Sequence, residues 1–148
     1  MAGVPWLIDT NVLLSWVHPR TLKHSAAAEA IRKMAWQSDT PCYTPQNLVE
    51  FWRVCTRPVP QNGFGLSTQE ADTKARLIED HFHLLPDVPP IHEEWRHLVV
   101  QHSVSGVQVH DARLAAAMHV HGVTQILTFN SRDFVRFPGI RAVDPAQI

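Results

Sequence analysis

Four polar positions stand out in this 148-residue chain because of where they fall: Asp9, Glu50, Asp111 and the pair Asn130/Asp133. Asp9 follows the apolar run Val4 to Ile8, and two small hydrogen-bonding residues, Thr10 and Asn11, come directly after it. In an open α/β sheet, ligands bind beyond the carboxyl ends of the strands, so a carboxylate there is placed for chemistry. The competing reading is a helix cap, a common use of Asp and Thr. Glu50 lies on the polar side of a helical segment, opposite Leu48, Phe51, Trp52 and Cys55 and beside Gln46, Asn47, Arg53 and Arg57. Its bland alternative is a solvated Glu50–Arg53 pair worth a few tenths of a kcal/mol. Asp111 opens an alanine-rich helix and is either a cap or a carboxylate at the sheet edge. Asn130 and Asp133 follow a strand, where turn and cap chemistry also favours them.

If these acids meet, they need something to hold them. Carboxylates about 4 Å apart repel by about 4 kcal/mol at an effective dielectric of 20. Such a cluster requires protons or a divalent cation, and all-oxygen ligation favours Mg²⁺, with Mn²⁺ as the alternative, over zinc. One or two such ions would make the site suited to metal-assisted chemistry. Asp9 and Asp111 are the expected direct ligands, and Glu50 is a ligand or the base for the attacking water. Thr10, Asn11 and Asn130 are candidates to orient water or phosphate. Arg53, Arg57, Arg113 and Arg132 are candidate phosphate contacts, each weighed against ordinary surface charge.

The elements that must position these groups follow from periodicity. Strands are expected at Val4–Ile8, Cys42–Thr44, Gln125–Phe129 and Ile140–Val143, with Leu84-Leu85 as a further short one. Helices are expected over about 12–17, 24–36, 46–56, from the Ser67-Thr68-Gln69-Glu70 capping box through Phe82 and Leu85, from Pro89-Pro90 to about 102, and 110–121. Segment 38–41 reads as a turn, 58–65 as a loop, 103–106 as a flexible connection and 132–137 as one helical turn. Short strands alternating with helices give an α/β domain with a mainly parallel sheet, one domain over 1–148.

Composition narrows the classes. With 45% hydrophobic and 18% charged residues the chain is globular. A net charge of −1 weakens the case for a general DNA-coating protein but does not exclude a nuclease, whose acidic site draws its positive charge from metals. Cys42 and Cys55 lack a CxxC spacing and read as reduced core residues of a cytoplasmic protein, with a bridge as the alternative. Neither a signal peptide nor a membrane span is expected. The pairs His81/His83 and His119/His121 are spaced i, i+2, which on a helix point to different faces and make poor chelates. A phosphatase with an Asp nucleophile is disfavoured, because the acid expected two residues after Asp9 is Asn11.

Four segments together resemble a known family. Leu7-Ile8-Asp9-Thr10-Asn11-Val12-Leu13, Asn47-Leu48-Val49-Glu50-Phe51-Trp52-Arg53-Val54-Cys55-Thr56-Arg57-Pro58, Val109-His110-Asp111-Ala112-Arg113-Leu114-Ala115-Ala116 and Leu127-Thr128-Phe129-Asn130-Ser131-Arg132-Asp133-Phe134 are similar, in order and spacing, to the PIN-domain family. Within it they look most like the VapC-type ribonuclease toxins. The resemblance implies a three-layer α/β/α fold and Mg²⁺-dependent RNA cleavage, with acidic positions at Asp9, Glu50 and Asp111. The family's fourth acid falls on Asn130, so either Asp133 substitutes or that ligand is dispensable. It further implies a small antitoxin partner and a homodimer. The rival is a PIN-fold module that binds RNA or a protein without cleaving.

Overall fold

Pro5–Ile8 forms β1, an apolar run buried from Trp6 onward, as expected for a central strand of a parallel sheet. The computed structural model describes residues 3–148. The other strands are β2 (Thr40–Tyr43), β3 (His83–Leu84), β4 (Gln125–Leu127) and β5 (Arg141–Val143). All pairings are parallel, in the order β3-β2-β1-β4-β5. The helices are α1 (Thr10–Val17), α2 (His24–Trp36), α3 (Pro45–Thr56), α4 (Thr68–His81), α5 (Pro90–Gln101) and α6 (Val109–His121). None is long and apolar enough to cross a membrane among the described residues.

Strand alternation separates two cores and makes three layers. Trp6, Ile8, Tyr43 and Leu127 face the layer of α1 to α4, against Val12, Leu13, Met34, Phe51 and Ile78. Leu7, Cys42 and Ile126 face the layer of α5 and α6, against Leu98, Leu114 and Met118. The alanine-rich α6 is buried over Leu114–Met118, where small side chains let it lie close to its neighbours, and it stops at Gly122 in the left-handed conformation (φ 70°). Both cysteines are buried and free.

Several boundaries differ from the periodicity reading. β2 begins at Thr40, inside the expected turn, because Asp39 binds back to the first strand through Val4 N (2.9 Å) and Trp6 Nε1 (3.1 Å). Thr44, expected as the strand's end, is instead the N-cap of α3. Leu85 lies beyond α4, donates its N–H to Tyr43 O (2.8 Å) and joins the opposite core from Phe82. The fourth strand stops at Leu127, two residues early. The 58–65 loop contains a 3-10 turn at Val59–Gln61, and a second at Gly106–Gln108 leads into α6. The expected 132–137 turn is a 3-10 turn at Ser131–Phe134.

Candidate active site

From β1 the chain works outward through β2 to β3, then returns to the other side of β1 with β4. The strand order therefore reverses between β1 and β4, and a crevice opens at their carboxyl ends. Asp9 is the first residue after β1 and Thr128 the first after β4. Asp9 is only 8% exposed. Its Oδ1 accepts from Thr10 N (2.8 Å), which caps α1, and its Oδ2 accepts from Thr128 Oγ1 (2.7 Å). Cap and site carboxylate are thus the same group, since an ionised carboxylate has about four acceptor positions and these bonds use two.

Glu50 is held from two sides by its own helix and by α1. Thr10 Oγ1 donates to Glu50 Oε2 (3.0 Å), and Gln46 Nε2 donates to Glu50 Oε1 (2.8 Å) and to His110 O (2.8 Å). Among the described residues no ion pair joins Glu50 to Arg53, so the solvated-pair alternative is not what forms. Asn47, grouped from the sequence with the polar face, is fully buried. Its Oδ1 accepts from Thr44 N and Thr44 Oγ1 (both 2.9 Å), while its Nδ2 donates to Thr10 Oγ1 (3.1 Å). One amide thereby closes the cap of α3 and fixes the threonine that orients Glu50. Asn47→Ala is expected to cost about 2–3 kcal/mol by orphaning these buried partners. A lower urea midpoint with an unchanged m-value is the measurement that checks it.

Asp111 is the third residue of α6, not its opening residue; Gln108 occupies the N-cap position and makes no side-chain cap bond. Burial and repulsion, first from Asp9 and then from Asp133 and Glu50, push its pKa up to about 7, with Arg136 pulling the other way. Asp9 is raised to about 6, chiefly by burial; the Thr128 and Thr10 hydrogen bonds oppose this, and Glu50 and Asp133 add repulsion. Four carboxylates therefore feel one another at the crevice, and Asp133 is the fourth. Asn130 itself is exposed. Its N–H donates to Thr128 Oγ1 (3.0 Å) and its carbonyl accepts from Asp133 N (3.0 Å), so Asn130 shapes the turn that brings Asp133 in. Asn11 Oδ1 accepts from Phe129 N (3.3 Å) and anchors the same segment to α1.

The arginines separate. Arg113 bonds Gln46 Oε1 and pairs with Asp87, both at 3.3 Å. Arg57 ends α3, seven residues past Glu50, and donates to Asn62 O (2.9 Å); at 1.5 Å per residue that is about 10 Å along the axis. Arg53 and Arg132 are exposed. Arg132 lines an open cleft of about 450 Å³ together with Phe129, Asn130, Ser131 and Asp133. The sequence reading passed over Thr128, Arg136 and the buried role of Asn47. Only Asn47 had a signal, the Thr44-x-x-Asn47 spacing of a capping box.

Among the described residues, no three His, Cys, Asp or Glu side chains converge into a ready-made ion cage. An open set of carboxylates still fits Mg²⁺ or Mn²⁺, because such ions keep several waters and take only one or two protein carboxylates. Three of the four paired histidines are engaged elsewhere. His119 bonds Glu94 and Pro138 O, His121 bonds Pro86 O, and His81 bonds Leu77 O.

The whole-chain shape matches solved structures. A Rickettsia felis VapBC2 complex bound to a promoter DNA fragment aligns with TM-score 0.72 at 12% identity, covering 95% of this chain and 98% of that one. VapC20 of Mycobacterium tuberculosis, described as a sarcin-ricin loop cleaving toxin, gives 0.67 at 16%, covering 94% and 99%. A toxin–antitoxin complex from Klebsiella pneumoniae gives 0.66 at 21%, covering 97% and 99%. No curated protein sequence matches the chain. The model of the PIN domain matches residues 6–140, which include every carboxylate of the crevice. The chain belongs to the PIN-domain family.

Proposed function

We propose that this protein is a Mg²⁺-dependent endoribonuclease and the toxin half of a toxin–antitoxin pair. The observation that carries the reading is the open set of carboxylates around the β1/β4 crevice, with Asp9 fixed by Thr128 and Glu50 fixed by Thr10 and Gln46, near enough to Asp111 and Asp133 that burial and mutual repulsion raise the pKa values of Asp9 and Asp111. Carboxylates kept together at such a cost are accounted for by a cation they are built to receive. The similar VapC20 is described as a sarcin-ricin loop cleaving toxin, the similar Klebsiella structure as a toxin–antitoxin complex, and the similar Rickettsia structure as VapBC2. Those likenesses support an RNA substrate and an antitoxin partner for this chain; a homodimer is part of the same proposal.

In this mechanism Asp9 and Asp111 would hold the ion, which when bound would neutralise charge at the scissile phosphate and lower the pKa of water there. Glu50 takes the proton of the attacking water, its carboxylate aimed by Thr10 and Gln46. The water oxygen bonds to phosphorus, the bond to the leaving oxygen breaks, and that oxygen picks up a proton from solvent. Asp133 completes the acidic wall in place of Asn130, which counts against a non-cleaving module based on the missing fourth acid. The test is cleavage of a labelled single-stranded RNA by purified protein. Chelation is expected to stop cleavage, and Mg²⁺ or Mn²⁺ to restore it. RNA binding without cleavage at any metal concentration would establish the non-cleaving module instead.

A further inference from the structure

Lys23 occupies an odd position. It is the N-cap residue of α2 and makes no side-chain cap bond. Helices favour Ser, Thr, Asp or Asn there, and a cation at that end opposes the helix dipole. Its ammonium lies instead 4.6 Å above the ring centre of Phe129. Phe129 begins the 450 Å³ cleft that runs through Asn130, Ser131 and Arg132 to Asp133, one of the four crevice carboxylates. The cleft's backbone is pinned by Asn11 at Phe129 N and by Thr128 at Asn130 N.

An RNA strand approaching four carboxylates meets repulsion at every phosphate except the one a metal neutralises. Flanking phosphates need protein cations. Arg113 is committed to Gln46 and Asp87, Arg57 to Asn62 O, and Arg136 to Gln108. Lys23 and Arg132 are both exposed, and neither enters an ion pair among the described residues. We infer that the Phe129–Asp133 cleft is a nucleotide subsite of this protein, in which Lys23, held over Phe129, and Arg132 bind the phosphate flanking the scissile one. The inference rests on the ribonuclease reading and adds the side on which the RNA strand leaves the acids.

Lys23→Met removes the charge but keeps the aliphatic stem on Phe129, and Lys23→Arg restores the charge. Binding of a labelled oligouridylate in chelator, followed across salt concentrations, reads the phosphate contact without catalysis. Lys23→Met and Arg132→Ala are each expected to weaken binding several-fold and to flatten the slope of log affinity against log salt by about 0.7. Lys23→Arg is expected to behave as wild type. With Mg²⁺, both charge-removing variants should lose more of their rate on long RNA than on a dinucleoside monophosphate, which has no flanking phosphate. Wild-type slopes in both variants, or equal losses on the dinucleoside monophosphate, would overturn the subsite while leaving the nuclease intact. A wild-type protein that neither binds nor cleaves RNA would overturn the ribonuclease reading and the subsite with it.

Discussion

Asp111→Asn is expected to abolish Mg²⁺-dependent RNA cleavage while the protein stays folded. The substitution is nearly isosteric, and Asp111 makes no capping bond that asparagine would lose. It also removes one of the mutually repelling charges. What disappears is an anionic oxygen facing the proposed ion. Removing mere supporting partners of metal ligands costs about 10–100-fold, so loss of a ligand should exceed the upper end of that range. Asp9→Asn should do the same: its amide oxygen can still accept from Thr10 N, and its NH2, in the place of Oδ2, can donate to Thr128 Oγ1, but the group carries no charge. Initial rates on a labelled RNA, with circular dichroism to verify the fold, are the measurement. Wild-type rates in either purified variant would remove the metal mechanism. Asn130→Ala, by contrast, should leave more activity than Asp133→Asn, because Asn130 is exposed and contributes backbone contacts while Asp133 contributes charge.

The second large effect is on stability, and its sign is unusual. Asp9 has a folded-state pKa of about 6 against an ordinary 3.8. Between roughly pH 4 and 6 the folded chain therefore retains a proton that the unfolded chain has released. Stability falls as pH rises through that window. A shift of about two units corresponds to about 3 kcal/mol, an order-of-magnitude figure for Asp9 alone. Asp111, at about 7, extends the decline in the same direction to neutral pH. In chelator the melting temperature is expected to drop by several degrees between pH 5 and pH 8, given about 2–4 °C per kcal/mol for a chain of this size. Mg²⁺ at roughly a hundred times its dissociation constant should return about 2.7 kcal/mol at pH 8.

His18 works the other way. Its ring is buried against Phe64, Nδ1 bonds Leu14 O (2.7 Å), and Nε2 has no partner among the described residues. Burial lowers its pKa below the usual 6.5, so charging it costs stability as pH falls. In Asp9→Asn the carboxylate contribution is gone and the acid-side loss due to His18 should be more visible. A melting temperature that is flat from pH 5 to 8 in chelator, and indifferent to Mg²⁺, would contradict the raised carboxylates.

Much of the architecture was already readable in the residues. α2 spans His24–Trp36 as its apolar spacing predicts, and α4 starts at the Ser67/Glu70 capping box. These features are local: periodicity, caps and proline positions act within a turn or two of chain. The same locality explains the misses. Whether β2 begins at Thr40 depends on Asp39 reaching Val4 and Trp6, more than thirty residues away. No helical wheel separates a polar residue that faces water from Asn47, which faces Thr10 in another helix.

For the acids the division is sharper. The strand-end position of Asp9, and the presence of Glu50, Asp111 and Asp133 near element boundaries, are properties of the sequence alone. Tertiary structure decided that Asp9 serves both as helix cap and as crevice carboxylate, through Thr10 N and Thr128 Oγ1. It decided that Asp133, not Asn130, shares the acids' field, and it left Arg57 bonded within its own loop. The physical reason is range. Capping and periodicity depend on neighbours in the chain, whereas repulsion among carboxylates depends on distances that exist only once β4 pairs beside β1.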